Sequence, residues 1–283
     1  MKLALSTSGR NISNERFINY KNANIEAMEI SEGHMDGATA VDFPKIRALA
    51  DEYGITLWSF HLPFLPFETI DISKPSLADY TVEYFSSLID KATSIGIKTF
   101  VLHPSGEPID ESDRPMRLEC AKKSLFKLAE YAKAKGAVIA VEDLPRTCLG
   151  RNSSDLVALT SAHPDLRVCF DTNHLLNEDI SHFISTVGDK IITTHVSDYD
   201  FINERHWVPG EGKIDWKALK DQLLSVGYDG YWLYELGLSG STRTVDRNRE
   251  LTYSDLTLNF NEIMADKPIT TLGKGKEDLP MFP

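Results

Sequence analysis

The chain has 283 residues, 42% of them apolar and 25% charged, enough to bury a sizeable core. A net charge of -12 repels phosphate backbones and argues against nucleic acid as a partner, and no run approaches the ~18 apolar residues of a membrane span. The three cysteines, Cys120, Cys148 and Cys169, are odd in number and lack a CxxC pair, which excludes a disulfide framework and a zinc knuckle.

The opening MKLALSTSGR lacks the apolar stretch of a signal peptide, so the chain reads as cytoplasmic. Eight β-type runs then alternate with helical patterns. KLALST (2–7) is the first, with a short helix expected somewhere in 7–22. IEAMEIS (25–31) follows, then a helix over 43–54 that stops on Gly54. ITLWSFHLPF (55–64) leads into a long helix over 76–96. KTFVLHP (98–104) precedes a helix over 114–136 with lysines in its last turns. AVIAVEDL (137–144), LRVCFDTNH (166–174) and KIITTHVSD (190–198) are each followed by a shorter helix, over 155–161, 181–187 and 215–226. GYWLYEL (230–236) is the last strand, and a helix over 246–265 closes the series. Several strands are apolar throughout, the mark of a parallel sheet covered on both faces. The pattern predicts an α/β fold, a single (β/α)8 TIM barrel over 1–265, with 266–283 as a C-terminal tail that reads as a frayed end, an arm docked elsewhere or on a partner being the alternative. A doubly wound sheet is the competitor, but STSGRN lacks the Gly-rich dinucleotide turn.

In such a barrel the site lies where strands end. The third strand ends at His61 and the fourth at His103. The fifth gives Glu142, the sixth Asp171 with His174 just beyond, the seventh His195 and the eighth Glu235. His206 follows in the next loop. Five of the chain's eight histidines are in this set; His34, His163 and His182 are not. Singly, each has a bland reading as a core hydrogen bond, an ion pair or a cap. Together, buried carboxylates need a compensating charge, and converging Glu, Asp and His are what a divalent cation takes. Glu142, Asp171, His195 and Glu235 make one mixed site suited to Mn, Mg, Co or Zn. His61, His103, His174 and His206 bind substrate hydroxyls or further metal ions. Asp198 reads as a loop cap and Asp215 as a helix cap. Trp58 is read as a substrate-binding wall residue, with core or rim as the alternative; Trp207 and Phe64 are wall, core or rim residues. Arg205 either holds a substrate carboxylate or phosphate or faces solvent.

HPSGEP, VEDLP, CFDTNH, THVSDYD, RHWVPGEGKIDW and YWLYEL, in this order over about 1–265, resemble the xylose-isomerase-like TIM barrels. That superfamily includes sugar and sugar-phosphate isomerases and epimerases, dehydratases and zinc-dependent apurinic-site endonucleases. The resemblance implies a metal held by Glu142, Asp171, His195 and Glu235, with the two glutamates as acid and base. It also places His61, His103, His174 and His206 where the endonucleases bind additional zinc, with Glu204 where that branch has Asp. The expected function is a metal-dependent isomerase or epimerase working through an enediolate of a ketose or aldose. A polyol or keto-acid dehydratase and an abasic-site endonuclease are the alternatives. The expected partner is a small carbohydrate, with self-association left open.

Overall fold

A computed structural model describes residues 1–8 and 12–276. Eight parallel strands run in sequence around one sheet: β1 (Lys2–Ser6), β2 (Ala27–Ser31), β3 (Thr56–His61), β4 (Thr99–Leu102), β5 (Val138–Glu142), β6 (Arg167–Asp171), β7 (Ile191–His195) and β8 (Tyr231–Tyr234). β8 pairs with β1. Backbone bonds from Val196 N to Leu233 O (2.7 Å) and from Glu235 N to Val196 O (3.2 Å) join β7 to β8 and close the barrel. The helices between are α1 (Asn14–Asn22), α2 (Met35–Thr39), α3 (Phe43–Tyr53), α4 (Ala78–Ser94), α5 (Arg114–Ala134), α6 (Ser153–Thr160), α7 (Ile180–Val187), α8 (Trp216–Ser225) and α9 (Tyr253–Met264). The TIM barrel expected from the alternation is the fold. No helix among the described residues is long and apolar enough to cross a membrane.

Local chemistry sets the element ends. Asp42 accepts from Lys45 N to start α3, and Gly54 ends it in the left-handed region at φ 68°. Asp215 caps α8 through Ala218 N, as expected. The last helix starts later than predicted. A capping box between Thr252 and Asp255 fixes its first turn at Tyr253. Val245–Asp246 (β9) instead pairs antiparallel with Lys274–Gly275 (β10).

That pairing overturns the reading of the tail as a frayed end for the part described. Gly275 lies so close to Trp207 that a Cβ there would meet the indole at 2.3 Å. Beneath the ribbon, Arg247 is buried and donates to both carboxylate oxygens of buried Glu211, at 2.7 and 2.6 Å. It also bonds the carbonyls of Gly237 and Ser239. The pair ties the loop after β8 to the loop before α8. Arg247→Leu leaves the Glu211 charge buried without its partner, so we expect a loss of about 3 kcal/mol in denaturant unfolding. A loss below ~1 kcal/mol would show that the tie contributes little. The tail beyond 276, and Gly9, Arg10 and Asn11 of the 7–22 stretch, lie outside the described residues.

The strands carry two faces. Large rings such as Phe60, Phe100, Phe170 and Trp232 are fully buried in the main core. The narrow lumen takes smaller residues: Ala4, Ala27 and Leu233 form one cluster, and Val101, Ala140 and Cys169 another. Because side chains alternate, the residue two positions further along each strand faces the same way. Those residues are Ser6, Glu29, Glu235, His103, Glu142 and Asp171. Ser59 and Thr193 lead in the same way to His61 and His195. A lumen of small residues is thus topped by a crown of acids and imidazoles at the C-terminal end.

Trp58 departs from expectation. The β2–β3 register skips it, pairing Met28 with Leu57 and Glu29 with Ser59. This extra residue packs on the lower cluster, edge-on to Tyr231, and donates to Thr193 Oγ1 at 3.0 Å. It fills the barrel floor, below the crown.

Candidate active site

The crown opens into a cavity of about 660 Å³ lined by His61, His103, Glu142, His174, His206 and Glu235. Of the sequence-proposed residues, Asp171 and His195 lie fully buried against its base. Asp171 and His195 are direct partners across β6 and β7, so their side chains emerge side by side. His195 Nδ1 lies 3.0 Å from Glu142 Oε1, 3.0 Å from Glu235 Oε2 and 3.8 Å from Asp171 Oδ2. One ring nitrogen carries at most one hydrogen, so it cannot satisfy three carboxylate oxygens. Asp171 Oδ2 is buried with no hydrogen-bond partner, while Oδ1 accepts from Asn173 N at 2.7 Å. Ligand atoms of Glu142, Asp171, His195 and Glu235 all lie within 4.8 Å of one another. An orphaned carboxylate oxygen and a mixed O/N donor set fit a divalent cation.

A carboxylate not proposed from the sequence stands behind this group. Glu29, fully buried in β2, lies 3.0 Å from His195 Nε2 and accepts from Ser59 Oγ at 2.7 Å. It holds the Nε2 proton and so turns Nδ1 toward the three carboxylates, the arrangement that orients a metal-binding imidazole.

The histidine protons follow from their partners. His61 Nδ1 donates to the Leu62 carbonyl at 2.8 Å, and its Nε2 lies 3.0 Å from Glu142 Oε2. A ring that donates at both nitrogens is an imidazolium. Burial opposes that charge, but the Glu142 hydrogen bond and the charges of Glu142, Glu29 and Glu235 prevail and raise the pKa to about 9. His174 is similar. Nδ1 donates to the Asp143 carbonyl at 2.8 Å, and Nε2 faces Glu204 at 3.1 Å. Burial again opposes, and Asp171 and Glu204 lift it well above the usual imidazole range. Burial dominates at His103 and lowers it, though its Nε2 lies 3.2 Å from Glu142. Glu142 and Glu235 are held down despite burial, chiefly by His195 charge, Glu235 to about 2. Burial pushes Asp171 up.

Other expectations divide. His206, at φ 51°, puts Nδ1 3.2 Å from the Glu235 carbonyl and groups with His174 and Glu204. Arg205 neither faces solvent nor lines the cavity: it is buried, paired with Asp200 at 2.6 Å and stacked over Trp207. Phe64 walls the cavity and stacks on His103, whereas Trp207 is core. Asp198 accepts from the backbone of Gly210, Gly212 and Ile214 and from the Trp216 indole, fixing the 206–216 loop. Arg146 and Glu107, unforeseen, form an ion pair at the cavity mouth, and Arg146 also pairs with Glu204.

The chain is similar to several known proteins. The chain is 28% identical to a fructoselysine 3-epimerase of Escherichia coli O157:H7 over 120 residues, 40% of this chain and 44% of that protein. It thus spans under half the length of the first curated relatives it matches. A D-psicose 3-epimerase of Ruminiclostridium cellulolyticum is 24% identical over 86% of this chain and 83% of its own. A probable endonuclease 4 of Staphylococcus saprophyticus is 26% identical over 73% of this chain and 64% of its own. The crystal structure of a D-tagatose 3-epimerase-like protein superposes with a TM-score of 0.74 at 22% identity, over 83% of this chain and 90% of that one. Residues 18–253 match the family described as xylose isomerase-like TIM barrel. The chain belongs to that family.

Proposed function

We propose that this protein is a divalent-metal-dependent sugar epimerase or isomerase acting on a ketose or aldose. The observation that carries it is the pair Glu142 and Glu235 converging on His195 Nδ1 beside the unpartnered oxygen of Asp171. The two epimerases among the curated relatives support the same reading. Glu142, Asp171, His195 and Glu235 would hold the cation, which when bound supplies a Lewis acid for the oxyanion that develops as a proton leaves the carbon beside a carbonyl.

The chain's own residues do the proton work. Glu235 and Glu142 are both ionised at neutral pH, so either can accept a proton from carbon. Return from the opposite side needs a carboxyl that has been recharged. Glu142 has a donor for this at Oε2, the His61 Nε2–H at 3.0 Å. We therefore assign Glu235 as the first base and Glu142 as the proton donor, with roles exchanged in the reverse direction. His206 orients a hydroxyl, and Phe64, Leu144 and Leu236 exclude water from the cavity.

NMR of ketose and aldose panels in D2O tests this: solvent deuterium enters the carbon skeleton next to the carbonyl as the epimer forms. Loss of water from a polyol, without epimer, would favour the dehydratase alternative. Nicking of abasic duplex would favour the endonuclease, which the net charge of -12 opposes.

A further inference from the structure

We infer that the substrate is an unphosphorylated ketose extended at one end by a second, apolar-faced group without negative charge. This rests on the epimerase reading above. A free six-carbon ketose has twelve non-hydrogen atoms; even at ~30 Å³ each, the share of a water in the liquid, they take about 360 Å³. The cavity is about 660 Å³. The sugar must sit against the polar crown, because the acid/base pair is there. The cavity lining also includes the apolar Phe64, Leu65, Phe67, Leu144, Pro145 and Leu236. Phe67 is half-buried and pressed against Gly106, where a Cβ would come within 2.6 Å of the ring, so this wall is fixed in place. Apolar walls reward a ligand that brings apolar surface to them, and a bare hydroxylated sugar does not.

The ion pairs at the mouth argue against phosphate. Among the described residues lining the cavity, Arg146 is the one arginine or lysine. Its Nε and Nη2 both donate to Glu107, and its Nη1 donates to Glu204 and to Asn203 Oδ1. The guanidinium is thus already engaged by two carboxylates and an amide oxygen. An incoming phosphate would have to compete with Glu107 and Glu204 for the donors of Arg146.

The test compares kcat/KM of the metal-loaded protein for D-fructose, D-fructose 6-phosphate, 6-O-benzyl-D-fructose and 1-deoxy-1-hexylamino-D-fructose, read as deuterium uptake from D2O. The two extended sugars differ in which end carries the added group. At least one should exceed D-fructose about tenfold, what roughly 60 Å² of newly buried apolar surface yields, and the phosphate ester should fall below D-fructose. In Phe67→Ala the ratio of extended to free sugar should drop toward one. Equal turnover of free and extended sugars, or preference for the phosphate ester, overturns this inference and leaves the epimerase reading standing. No deuterium uptake with any of the four removes that reading and this inference with it.

Discussion

Dialysis against a chelator should lower the melting temperature of this protein, and added divalent metal should restore it. At a hundredfold excess of metal over its Kd the shift corresponds to about 2.7 kcal/mol, because the ion binds only where the four side chains are assembled. Asp171→Asn should weaken binding by at least ~100-fold: exchanging a residue that merely supports a metal ligand already costs ~10–100-fold, and Asp171 is proposed as a ligand itself. The pH dependence has a definite sign. Without metal, His195 is held protonated well above the usual imidazole range: burial opposes the charge, and the surrounding thiol and carboxylates outweigh it. Burial raises Asp171 as well, so it too competes for a proton. Both must be deprotonated to bind the ion, so binding releases protons and affinity rises with pH through neutrality. Calorimetry in buffers of different ionisation enthalpy reads that release directly. Metal content unchanged in both Asp171→Asn and Glu142→Gln would remove the site.

The crown was legible because its residues obey one rule. In a parallel barrel the last inward residue of each strand must face the mouth, so reading strand ends from the sequence finds His61, His103, Glu142, Asp171, His195 and Glu235 without knowing any contact. Glu29 escaped because β2 runs on to Ser31, so its carboxylate sits inside the strand. The signal was present in AMEIS: a charged residue in the middle of a strand otherwise buried end to end, two places after an alanine that faces the lumen. Trp58 was misplaced because a register shift turns it downward, and nothing in TLWSFH marks a bulge. Arg205 looked free because its partner Asp200 lies in the same irregular loop, where spacing carries no direction. Arg146 sits at φ 54° in a loop, and its link to Glu107 and Glu204 joins three loops that sequence order separates. Periodic elements broadcast their facing; loops do not.

The second large effect concerns the two glutamates. Glu142→Gln and Glu235→Gln should each lower kcat for epimerisation by about 10³-fold at saturating metal, within the ~10²–10⁴ that a positioned acid or base contributes. Saturation matters, since each is also a proposed metal ligand, and a deficit that metal restores would be a binding effect. The more telling readout is isotopic. Each glutamate serves one face of the reacting carbon, so the variant that keeps Glu235 still removes and returns a proton on that face. It should exchange deuterium into one epimer without producing the other, and the variant that keeps Glu142 should do the same to the opposite epimer. Opposite single-sided exchange follows only if the two carboxylates flank the carbon; two oxygens that merely shared a cation would lose exchange and inversion together. Retention of kcat within tenfold of the parent in either variant would show that the proton passes through another group. The first place to look would then be the imidazolium of His61, whose Nε2 lies 3.0 Å from Glu142 Oε2.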